Sequence, residues 1–149
     1  MKLLAGTVLF LLCALAGEGR ARCLRRRERL LSTIYELISD IGDRQQRALI
    51  SFREGALLCP SSPERDQLLN MAAGVTVCLP SMTTEEKAKL AAYARSDSRS
   101  VSILRTERDA LLCMLQQSRD RTREELAGKG QVYRSVGYLC GVAALLLVL

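Results

Sequence analysis

The chain contains no histidine and no tryptophan, only two phenylalanines and three prolines, and a single asparagine. Without histidine it lacks both the commonest general base near neutral pH and the commonest metal ligand. Its carboxylates stand beside arginines, as in Glu64-Arg65-Asp66 and Arg105-Thr106-Glu107-Arg108-Asp109, which is the pattern of a solvated helix surface rather than of paired catalytic acids. There is no glycine-rich phosphate loop, and the cysteines are widely spaced with no CxxC, so neither nucleotide chemistry nor zinc is indicated. The expectation is a protein that is not an enzyme and uses no cofactor or metal. Outside the first sixteen residues Phe52 is the one phenylalanine, which leaves almost nothing to stack on bases and speaks against a nucleic-acid partner. Asn70 is followed by Met71-Ala72, so no N-linked glycan is expected. Alternating branched residues run no further than Val75-Thr76-Val77, which excludes any substantial sheet.

What is present lies first at the two ends. Residues 1–16 begin with Lys2, continue through an apolar stretch and finish on Ala14-Leu15-Ala16, the layout of a secretory signal peptide cut before Gly17. Fourteen apolar residues rise only about 21 Å as a helix, short of a hydrocarbon core of roughly 30 Å. Arg20, Arg22, Arg25, Arg26, Arg27 and Arg29 follow closely and oppose this reading, because such a cluster resists export; if the segment stayed in place, the arginines would favour the cytoplasmic side. The other end, from Tyr138 to Leu149, is again apolar, and Ala127-Gly128-Lys129-Gly130 precedes it. Small residues, a short polar spacer and an apolar tail resemble the signal for a glycosylphosphatidylinositol anchor, with Gly128 as the attachment residue and residues 129–149 removed. The spacer is shorter than usual, and a retained short span or an apolar core helix are the competing readings.

Removing both ends takes Lys2, Lys129 and Arg134 from the 22 basic residues and leaves 19 against 16 acidic ones in residues 17–128, a single domain with no global basic character. Cys23, Cys59, Cys78 and Cys113 remain, an even number in a short exported chain, and two disulfides are the natural expectation; buried free thiols are the alternative. A bridge between Cys78 and Cys113 leaves Cys23 with Cys59, which requires a bend at Gly42; Cys59–Cys78 with Cys23–Cys113 is the other arrangement, and spacing alone does not choose.

Between the ends the periodicity is helical. Apolar positions from Leu30 through Ile34, Leu37, Ile38, Ile41, Ala48, Leu49, Phe52 and Ala56 predict one long helix over about 24–58, with Gly42-Asp43 as a candidate kink. Cys59-Pro60 stops it, and Ser62-Pro63 opens a second helix over 63–78. Thr83 with Glu86 forms a capping box for a third over 84–95, and a fourth runs over 101–127 after the polar connector 96–100. The expected fold is all-α, a small antiparallel bundle of about four helices with disulfides, flanked by signal and tail.

Arg25, Arg26, Arg27 and Arg29 are the candidate contacts for an acidic partner or anionic surface, and Arg26-Arg27-Glu28-Arg29 also has the spacing of a basic processing site. Tyr35, Phe52 and Tyr93 are weighed as a partner-binding face against simple core packing. The functional expectation is a glycosylphosphatidylinositol-anchored protein on the extracellular face of the plasma membrane that binds another extracellular or membrane protein. A secreted, cytokine-like helical ligand and an intracellular protein held to membrane by both apolar ends are the alternatives.

Overall fold

A computed structural model describes residues 2–77, 79, 81–96 and 101–148. Among these the chain is all-α with no strand, in five helices: α1 (Lys2–Ala48), α2 (Phe52–Leu57), α3 (Pro63–Ala72), α4 (Thr84–Ala94) and α5 (Val101–Val148). The contacts divide into two units, one of residues 1–28 with 120–149 and the other of residues 29–119. The helices run through positions where the sequence suggests boundaries. Residues 17–19 and 127–130 are helical, since two isolated glycines cost only about 1 kcal/mol each in a helix that adds one hydrogen bond per residue.

In the 29–119 unit α1 does not break at Gly42. That glycine is instead a site of close approach: a Cβ there would overlap Cδ of Arg108, so the Arg108 side chain of α5 lies directly on the α1 backbone. The break comes later, at Leu49, whose φ of 53° is the left-handed conformation that ends helices. Ser51 then caps α2: its Oγ accepts from the Glu54 amide at 3.2 Å, while Glu54 Oε2 accepts from the Ser51 amide at 2.9 Å. These reciprocal bonds fix a new helix start, so the predicted helix over 24–58 is in fact two helices.

Ser62 caps α3 with Pro63 in its first turn. α3 stops six residues short of the predicted Cys78 because Gly74 turns left-handed (φ 79°), letting the Val75 amide donate to the Asn70 carbonyl at 2.9 Å and the Gly74 amide to Met71. α4 starts on the Thr83–Glu86 capping box.

α1 and α5 run antiparallel in this unit, with Gly42 and Asp43 beside Arg108 and Tyr35 beside Arg119. Their inward stripes, Leu31, Ile34, Ile38 and Ile41 against Leu111 and Leu115, close over Phe52, Leu68 and Leu90 from the short helices. Burying each such side chain contributes roughly 1.5–3 kcal/mol. Phe52 is 1% exposed and meets the Tyr93 ring edge-on, with centroids 5.7 Å apart at 88°. Tyr35 carries the Arg119 guanidinium 5.3 Å above its ring. Phe52 and Tyr93 are therefore core rather than a partner-binding face.

Candidate functional site

The unit of residues 1–28 and 120–149 separates charge from apolar surface along its two helices. Its seam is built from small residues on both sides. A Cβ at Gly17 would lie 2.5 Å from the Tyr133 carbonyl oxygen, and one at Gly137 would lie 2.9 Å from the Cys13 carbonyl and 3.3 Å from the Gly17 Cα. Gly141 receives the Phe10 ring in the same way. Backbones approach this closely only where side chains are absent, a packing mode frequent between helices in lipid. Farther along, Ala21 and Thr122 are buried, and Glu28 accepts a 2.8 Å hydrogen bond from Arg123. The helices are thus antiparallel, with residue 17 level with 133–137 and residue 28 level with 123.

Residues 3–17 and 135–149 carry no charged side chain. Two single helices can bury only one stripe each, and Val8, Leu11, Leu12 and Leu15 on α1 stay exposed with Val136, Leu139, Val142 and Leu146 on α5. Among the described residues, ten of the fifteen exposed large apolar side chains belong to this unit, so its apolar surface is not an even scatter. No helix is long and apolar enough to cross a membrane, among the residues searched.

Charge is equally uneven. This unit holds ten basic and five acidic residues, net +5, whereas residues 29–119 hold twelve and eleven, net +1. Arg25 and Arg26 are exposed on α1, while Arg27 is half-buried; Arg29, also exposed, falls in the other unit. The Arg26–Arg29 run lies within continuous α1 helix, a conformation that a processing protease would first have to unwind. Arg22 pairs loosely with Glu18 at 3.7 Å. Gly128 is exposed, with nothing within 4 Å of where its Cβ would stand.

Cysteine placement departs from the expected pairs. Cys23 and Cys113 are exposed free thiols; Cys59 is a buried one, and Cys78 lies outside the described residues. Cys59 donates to Asp40 Oδ2 at 3.3 Å and to the Gly55 carbonyl at 3.5 Å. Burial pushes its thiol pKa up, with the Asp40 carboxylate adding to the rise, so this arrangement favours the protonated thiol. The Asp40 carboxyl is held below its ordinary range by the Arg44 guanidinium and then by the Cys59 thiol.

The 29–119 unit contains an open cleft of about 350 Å³ between the end of α1 and the start of α5, lined by Gln45, Leu49, Ile50, Leu104, Arg105 and Arg108 among others. Arg108 is held there by Asp43 at 3.0 Å and Asp109 at 3.3 Å, and the Tyr93 hydroxyl donates to Gln45 Oε1 at 3.1 Å. Leu49, 77% exposed and left-handed, stands at the rim as an unburied apolar side chain. The cleft can take an apolar side chain beside an acidic one. Sequence reading missed it because its walls come from residues about sixty positions apart. Among the described residues no group of acidic or cysteine side chains is placed to hold a metal ion. No protein-family model, curated protein or solved structure matches this chain.

Proposed function

We propose that this chain is a membrane-attached helical protein that binds another extracellular or membrane protein, and that attachment is by exchange of residues 129–149 for a glycosylphosphatidylinositol at Gly128. The observation that carries the reading is the segregation within one unit of two uncharged, apolar-surfaced helix ends, each about 22 Å long, from a basic zone beside them. Gly128 is exposed with nothing within 4 Å of where its Cβ would stand, although it lies within α5, which the exchange would first have to unwind. Binding to a protein is supported by the Leu49 cleft, an open concave surface with an exposed apolar side chain at its rim. In this reading Cys23, Cys59, Cys78 and Cys113 oxidise to two disulfides around a four-helix bundle, and Cys59 gives up its hydrogen bond to Asp40.

A second reading is favoured by the Gly17–Gly137 approach: both ends are retained as a packed helix pair, the chain stays on the cytoplasmic side, and the cysteines remain reduced. The mass of the native polypeptide, with thiol counting and phospholipase treatment of intact cells, decides between them. A chain ending at Gly128, without free thiols and released by the phospholipase, is the expected result. A chain that still ends at Leu149 with reduced cysteines refutes lipid exchange and leaves the retained pair; free material in the medium leaves a secreted ligand.

A further inference from the structure

The basic residues next to the uncharged helix ends form a band rather than a face. Counting 100° per residue, Ala21, Leu24 and Glu28 mark the seam side of α1. Arg20, Arg22, Arg25 and Arg26 fan around the remaining directions, all exposed. The antiparallel register set by Gly17 beside Tyr133 and Glu28 beside Arg123 puts exposed Lys129 of α5 level with Arg22. From Arg20 to Arg26 the band is only about 9 Å high, comparable with the polar layer of one leaflet. Residues 18–28 and 123–134 together hold eight basic against four acidic side chains. A stripe along one face would suit a rod-like polyanion or a partner helix; a ring of cations perpendicular to the helix axes, with uncharged helix immediately beyond it, suits a plane.

We propose that this collar binds the anionic phospholipid headgroups of a membrane into which the uncharged ends insert. Arg20, Arg25, Arg26 and Lys129 make no ion pair among the described residues, so their charge is available to phosphate and carboxylate groups, while Glu18 and Glu28 take up part of the charge of Arg22 and Arg123. The inference rests on the membrane-attached reading and, because anionic phospholipid is concentrated in the cytoplasmic leaflet, on its second form. Each basic side chain at such a surface raises partitioning about fivefold at low ionic strength.

The test is flotation of the full-length chain with vesicles of phosphatidylcholine alone or with one part in four phosphatidylserine, at low and high salt. Wild type is expected to partition at least tenfold more strongly onto the serine-containing vesicles at low salt, with the preference fading at high salt. Arg25→Gln with Arg26→Gln should lose at least tenfold of that preference, whereas Arg47→Gln with Arg53→Gln, exposed in the other unit, should keep it. Equal binding to both vesicles leaves the retained, membrane-inserted helix pair standing and overturns the collar; no binding to either overturns the collar and the retained pair together. Preference that survives in the collar variant also overturns the collar.

Discussion

Two glycines two residues apart on α1 should respond to the same substitution with opposite sign. Gly19→Ala meets nothing within 4 Å, so only the backbone term operates and the helix gains roughly 0.5–1 kcal/mol. Gly17→Ala gains the same term, but its Cβ arrives 2.5 Å from the Tyr133 carbonyl oxygen, close to 1 Å inside ordinary contact. The obstruction is backbone, which cannot rotate away, so the two helices must separate and the Gly17–Gly137 contact opens. Overpacking of this kind costs about 1–3 kcal/mol, leaving Gly17→Ala destabilising by about 1–2 kcal/mol after the helix gain. Amide hydrogen exchange on the full-length chain in mild detergent micelles, read over residues 120–140, reports this seam separately from the 29–119 core. Protection should rise about two- to fivefold in Gly19→Ala and fall about five- to thirtyfold in Gly17→Ala. Shifts in the same direction for both variants would refute the close approach and with it the argument for a retained helix pair.

Other expectations concern the 29–119 unit. Phe52→Ala removes a fully buried ring and its edge contact with Tyr93, and should lower stability by about 3–5 kcal/mol, read as a drop in urea midpoint, while Leu58→Ala, exposed, should change it by less than about 0.5 kcal/mol. Burial pushes the Tyr93 hydroxyl up to about 12 from its ordinary 10, so the folded state favours the protonated form. That stabilisation is complete below pH 10 and is lost as pH rises toward 12, by about 1.4 kcal/mol at pH 11. Urea midpoints measured across this range should fall in the wild type and fall less steeply in Tyr93→Phe.

Local signals with a mechanism were legible where they stood alone. The Thr83–Glu86 box and the Ser62-Pro63 start appear in the sequence as they do in the structure, because a cap is made by residues three apart. The equivalent Ser51–Glu54 box is masked in the sequence, since Ile41, Ala48 and Phe52 keep a helical register across the break. Gly74 is hidden in the same way, because Val75 and Cys78 continue the apolar spacing of Leu68 and Met71 beyond it. The cleft and the seam had no such signal: Gly42 looked like a hinge, and only the position of Arg108 reveals that it is a point of contact.

By itself the amino-acid order determined the all-α class, the two apolar ends and the absence of histidine, because composition and short-range spacing act within a few residues of one another. Tertiary structure alone decided that the two ends lie side by side, that Cys59 is buried and bonded to Asp40, and that Lys129 stands level with the exposed arginines of α1. Each of those depends on residues more than a dozen positions apart meeting at a set register, and register is fixed by packing, which no local pattern encodes.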